Sequence, residues 1–144
     1  MVFRFYRTGA WLWVITGITH NLFDLLSRLF PSAAKEPVRT VLYNLPFEFL
    51  GMNSNYYRLT MGFSLAMGTS IALAGVLFLL FARLAGTAVR TRPACFVGLA
   101  ASVALLAISI AALQLPPPIV TFSLASLAFA AALFASRRSA ISRA

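Results

Sequence analysis

The chain has 144 residues, of which 60% are hydrophobic and 10% charged, and a formal net charge of +9. Soluble domains carry roughly a quarter charged residues, and a small fold leaves much of its surface exposed, so a single water-soluble domain of this length cannot hide that apolar excess. Lipid is the solvent this composition calls for.

The basic excess does not read as a nucleic-acid footprint, which gathers Lys and Arg on one folded face. Here the cations stand at the ends of apolar runs, where they specify membrane topology. Nucleic acid is therefore not an expected partner.

The first apolar segment covers about residues 9–30. Arg4 and Arg7 before it, with Ser32-Ala-Ala34 behind it, mimic a cleavable signal sequence. The run is too long for one and is interrupted by His20, Asn21 and Asp24, so a retained membrane helix is expected. Trp11 and Trp13 near its start fit an interfacial aromatic anchor.

Residues 31–56 form the one sizeable connection. Within them, Glu36-Pro37 followed by Val38, Val41, Leu42 and Leu45 at helical spacing predicts a short amphipathic helix on the outer interface. Phe47, Phe49, Leu50 and Met52 are too apolar for a freely solvated loop, and are expected at the lipid boundary or capping a bundle. Gly51 and Asn53-Ser-Asn55 are read as the turn into the next helix, with Ser54 or Asn55 as its N-cap.

Three more apolar segments follow, at about 57–81, 94–114 and 117–136. Each nears the length of roughly 20 residues that crosses the hydrocarbon of a bilayer, and spanning backbone must satisfy its own hydrogen bonds. The expected fold is all-α: one membrane domain, residues 1–144, built as a four-helix bundle. Pro116-Pro-Pro118 makes a tight outer turn and a helix start, since Pro begins a helix well and cannot continue one. Cys95 is the sole cysteine, so it forms no intrachain disulfide and behaves as a buried small hydrophobe.

Orientation follows from the positive-inside rule. With the N-terminus inside, Arg4, Arg7, Arg83, Arg90, Arg92, Arg137, Arg138 and Arg143 lie inside, while Arg28, Lys35, Arg39 and Arg58 lie outside with Asp24, Glu36 and Glu48. Both termini are thus expected on the cytoplasmic side of a bacterial inner membrane. Small residues along the second segment (Ser64, Gly68, Ala72, Gly75) and the third (Gly98, Ala101, Ser102, Ala104) allow the close helix packing that lipid demands.

Unusual chemistry is confined to the first segment. Thr16, His20, Asp24 and Arg28 recur every four residues and so share one helix face. His20 falls about 16 Å along the helix from Gly9, near mid-membrane, where ionisable groups are costly and face protein or water. An antiparallel second segment brings Ser64, Met67 and Gly68 to the depth of His20, and Arg58 and Thr60 to that of Asp24. One reading is a satisfied polar ladder, with Asp24 paired to Arg28 or Arg58 and His20 bonded to Asp24, Ser64 or a backbone carbonyl. The other makes His20 and Asp24 an acid/base or ligand-orienting pair, because His exchanges a proton near neutral pH and a carboxylate sets its tautomer. Catalytic candidates are then His20 and Asp24; ligand-binding candidates are Thr16, His20, Asp24, Arg58, Ser64 and Met67. No cofactor or metal is expected, because a single His cannot supply two haem ligands and the His, Cys and acidic residues lie on distant segments.

The run Gly17-Ile-Thr-His20, Asp24, Leu45-Pro46 and Met61-Gly-Phe-Ser-Leu-Ala-Met-Gly68 resembles a group of small four-span bacterial membrane proteins, a likeness that implies a membrane address and no activity. Gly17-Ile-Thr-His20-Asn-Leu-Phe-Asp24 also looks like the first-helix pattern of the emopamil-binding-protein and sterol-isomerase superfamily, with Asp24 where that family has Glu. That likeness implies a lipophilic intramembrane site in which the pair shifts a double bond. The leading expectation is a non-enzymatic bundle that serves as a subunit of a larger membrane complex or as a binder of a lipophilic molecule, with a homo-oligomeric scaffold ranked third. The alternative is a small isomerase-like enzyme on a sterol-, isoprenoid- or quinone-like substrate, using His20 and Asp24.

Overall fold

The computed structural model describes residues 1–85 and 88–141. The side chains of Phe49, Arg90, Arg137, Arg138 and Arg143, which enter the expectations above, lie outside the described residues. In chain order the elements are helix α1 (Val2–Leu29), a 3-10 turn (Ala33–Lys35), helix α2 (Glu36–Asn44), strands β1 (Pro46–Phe49) and β2 (Met52–Asn55), and helices α3 (Tyr56–Ala85), α4 (Ala88–Ile108) and α5 (Pro116–Ile141). Helix dominates, and among the described residues three helical stretches are long and apolar enough to cross a membrane: Tyr56–Leu84, Arg92–Ala112 and Pro116–Ser136. At 28 residues α1 has the length, roughly 42 Å at helical rise. Its arginines, His20, Asn21 and Asp24 keep it below the apolarity of the other three.

Several boundaries differ from expectation. α1 starts at Val2 rather than near Gly9, because a helix tolerates Arg4 and Arg7 as well as any straight-chain residue. α4 starts at Ala88 and runs through Pro93, where a proline forfeits one backbone hydrogen bond without ending the helix. α4 closes in a π-turn over Ser109–Leu113, with Gln114 in the left-handed region at φ 51° and its N–H donating to the Ser109 carbonyl at 2.7 Å. α5 begins directly on Pro116, Pro117 and Pro118. The first turn of a helix has no intrahelical acceptors for its N–H groups, so three prolines there remove donors that would otherwise stand idle.

The chain divides into two compact units. The first comprises residues 1–16 and 71–144. Its core is a set of aromatic rings meeting edge to face: Tyr6 on Phe129 (centroids 5.5 Å apart), Trp13 on Phe78 (5.5 Å) and on Phe122 (5.6 Å), and Phe78 on Phe129 (5.5 Å). Such pairs add about 0.5–1.5 kcal/mol each beyond their area. Glycines let the helices reach these rings. A Cβ on Gly98 would stand 2.7 Å from Phe129 Cε1, and one on Gly9 would stand 2.9 Å from Phe129 Cε2. Phe129 is thus held between α1 and α4 where each lacks a side chain. Gly75 does the same for backbone contact, since a Cβ there would lie 2.7 Å from Val14 N and 2.9 Å from the Ala10 carbonyl.

Trp13 corrects the anchor expectation. It is 5% exposed and donates its indole N–H to Ser102 Oγ at 2.9 Å, while Ser102 Oγ donates to the Gly98 carbonyl at 2.7 Å. A buried indole needs an acceptor, and Ser102 supplies it. Trp11, two residues earlier and on another face, is 49% exposed. Cys95 is fully buried in the same core, as a small apolar filler.

The second unit comprises residues 17–70. Where the sequence reading has a loop, β1 and β2 form an antiparallel hairpin with Pro46 opposite Asn55 and Phe49 opposite Met52. Its two-residue turn is Leu50-Gly51, both at positive φ (50° and 78°). A two-residue hairpin needs that backbone to match strand twist, and Gly51 supplies one of the two positions without strain. Four-residue strands with no β-branched residue leave little pattern to read. Asn55 caps α3 as expected: its Oδ1 accepts the Arg58 N–H at 2.9 Å. α2 packs on the start of α3 through Tyr43 against Tyr57 (5.6 Å), with the Arg39 guanidinium over the Tyr57 ring at 5.5 Å and 3.7 Å from Glu36. Val38 and Val41, on its apolar side, are exposed.

Candidate functional site

The polar residues of α1 and α3 in the second unit form one cluster. His20 Nε2 lies 2.9 Å from Ser64 Oγ and 3.9 Å from Asp24 Oδ2. The next residue of α1, Asn21, donates its Nδ2 to Thr69 Oγ1 at 3.0 Å. Helical spacing sets His20 and Asp24 on one α1 face, and Gly68 brings α3 against it. A Cβ on Gly68 would overlap the Asn21 amide oxygen and stand 2.8 Å from His20 Cδ2.

The hydrogen-bond accounting is unbalanced. Asp24 Oδ2 and Asn21 Oδ1 are both shielded and have no hydrogen-bond partner among the described residues. At 3.9 Å the His20–Asp24 pair is an electrostatic neighbour, too long for a hydrogen bond. Each unpartnered acceptor costs about 1–3 kcal/mol when buried. His20 has two options. With its proton on Nδ1, Nε2 accepts the Ser64 hydroxyl proton; with its proton on Nε2, it donates to Ser64 Oγ and the serine hydroxyl is free to turn elsewhere. The cluster therefore holds more acceptors than donors. It is not sealed: the side chains of His20 and Asp24 are 32% and 22% exposed. Chemically, it can accept hydrogen bonds from an incoming hydroxyl or ammonium group, and it can hold a proton on His20 next to a carboxylate.

The other expected site residues distribute differently. Thr16 belongs to the first unit and donates its hydroxyl to the Leu12 carbonyl at 2.6 Å. Arg58 is exposed, its backbone N–H engaged by Asn55. Met67 is exposed on α3. Of the expected ladder, the bond between His20 and Ser64 is formed, but the pairing of Asp24 with Arg28 or Arg58 is not: among the described residues the ion pairs are His20–Asp24 and Arg39–Glu36. Both arginines are exposed and sit near helix ends, Arg28 in the last turn of α1 and Arg58 in the first turn of α3.

Asn21 and Thr69 were missed as members of the cluster. A signal existed for Asn21, which lies three residues before Asp24 and so shares its face. Thr69 had none, because its place depends on where α3 crosses α1. No group of three or more His, Cys, Asp or Glu side chains able to hold a metal ion occurs among the described residues. Grooves of about 640 and 570 Å³ are lined by residues of the first unit, and one of about 230 Å³ by α2; none of these three touches His20 or Asp24. Comparison with protein-family models, with curated proteins and with solved structures gave no match.

Proposed function

We propose that this is a four-span protein of a bacterial inner membrane, both termini cytoplasmic, that binds a lipophilic molecule through a hydrogen-bond donor on that molecule's polar end. α1 is the fourth span. Its apolar residues join the aromatic core of the first unit, and its polar residues meet Ser64 and Thr69 rather than standing alone, which is how intramembrane polar groups are accommodated. The asymmetry of the arginines supports the orientation.

The observation that carries the binding reading is the pair of unpartnered acceptors, Asp24 Oδ2 and Asn21 Oδ1, beside a histidine whose tautomer can adapt. In hydrocarbon no water satisfies them. A sterol-like hydroxyl or a lipophilic amine matches what is missing, and the partial exposure of His20 and Asp24 lets it enter sideways from lipid. The isomerase reading draws on one observation, the position of His20 Nε2 between a hydroxyl and a carboxylate, and would use the same polar cluster.

Purification in mild detergent, native mass spectrometry and extraction of the bound small molecules test the proposal. The wild-type protein is expected to carry a neutral or cationic lipophilic species with a hydroxyl or amine. Asp24→Leu is expected to lose it while keeping its helical circular dichroism. A protein that carries no such species, or an Asp24→Leu variant that retains it fully, would refute the reading. A partner membrane protein that co-purifies and masks His20 would favour the subunit role instead.

A further inference from the structure

We propose a second site, for the headgroup of an anionic phospholipid, in the groove of the first unit between the start of α1 and the end of α3. Along α1, Phe3, Arg7 and Trp11 recur every four residues; along α3, Val76, Leu80 and Arg83 recur at four and three. Both spacings put residues on one helix face, and the two stripes line the two walls of a groove of about 640 Å³, a volume in the range of small-molecule sites. Arg7 and Trp11 also border the adjoining groove with Arg4.

Charge decides the occupant. Arg7 and Arg83 stand on opposite walls, and neither has an ion-pair partner among the described residues. The three carboxylates of the sequence are Asp24, Glu36 and Glu48, all in the other unit. A guanidinium presents a planar fork of donors suited to phosphate, so two of them facing one groove select a phosphate group. Below the arginines the walls are apolar: Trp11 on one side, Leu80 and Val76 on the other. Val76 lies seven residues from Arg83, roughly 10 Å along the helix axis. Free phosphate would leave that wall uncovered, whereas a phospholipid lays an acyl chain along it. Basic pockets between spans at the cytoplasmic face are where anionic headgroups bind. The site rests on the membrane orientation proposed above and is independent of the role of His20.

Trp11 reports on this groove. The protein is reconstituted in phosphatidylcholine bilayers containing an equal fraction of either phosphatidylglycerol or phosphatidylcholine with brominated acyl chains, and tryptophan quenching is measured. Each arginine near an anionic surface is worth about fivefold in partitioning, so with Arg7 and Arg83 together brominated phosphatidylglycerol is expected to be preferred on the order of twenty-five-fold. The preference is expected to vanish in R7Q/R83Q, to survive in R7K/R83K, and to be absent from W11F, where the buried Trp13 supplies the background. Millimolar inorganic phosphate is expected to leave it unchanged.

Equal quenching by the two lipids in the wild-type protein would overturn the site, as would its displacement by inorganic phosphate or an undiminished preference in R7Q/R83Q. Absence of quenching by either brominated lipid would instead refute the membrane placement, so the two failures are separable.

Discussion

Gly98→Ala tests how the first unit is held together. The added methyl would stand 2.7 to 2.9 Å from three atoms of the Phe129 ring, well inside the 3.5–4.0 Å optimum between carbons. The ring cannot simply retreat, because Gly9 meets its far edge and a Cβ there would be 2.9 Å away. Tyr6 and Phe78 hold it edge to face as well. Overpacking of this kind costs about 1–3 kcal/mol. Against it, Ala exceeds Gly in helix propensity by about 1 kcal/mol, so the net expectation is a loss of about 0–2 kcal/mol, against a gain at a site with open space. Gly62→Ala provides the control, since nothing lies within 4 Å of a Cβ there and only the propensity gain, about 1 kcal/mol or less, remains. Reversible unfolding in mixed micelles with SDS, followed by circular dichroism, measures both. A double-mutant cycle with Phe129→Leu should return a coupling of about 0.5–3 kcal/mol, because the smaller side chain makes room for the methyl. If Gly98→Ala proved as benign as Gly62→Ala, or if the cycle closed additively, the proposed clamp on Phe129 would be wrong.

Gly68→Ala acts on the polar cluster by the same logic. Its methyl would overlap Asn21 and press on His20, so co-purifying ligand is expected to fall severalfold; retention of the full amount in mass spectrometry would detach Gly68 from the site. Asn55→Ala removes the cap on α3 and is expected to cost about 1 kcal/mol in the same unfolding assay. Faster amide exchange should be confined to the first turn of α3, and unaltered exchange there would contradict the capping role.

Local rules made some of the structure legible. The helical character of the apolar segments, the short amphipathic helix after Pro37, the Asn55 cap and the buried Cys95 all depend on near neighbours in sequence or on composition. They could be read because backbone hydrogen bonding and helix termini are settled within a few residues. The hairpin resisted for the complementary reason: its stability lies in pairing across a turn, and neither strand has a period long enough to show.

The facing of each helix was decided only by tertiary structure. Trp11 and Trp13 look equivalent as interfacial anchors, yet one is half exposed and the other donates to Ser102, 89 positions away. The spacing of His20 and Asp24 was evident, but not the contact of Asn21 with Thr69 or that, among the described residues, Asp24 pairs with no arginine. Those outcomes depend on where α3 meets α1 within each unit, and each contact is set by a missing side chain, at Gly68 in the second unit and at Gly75 in the first. Among interchangeable apolar residues lipid offers no preference for one face over another, so close packing at glycines, a long-range property, selects it.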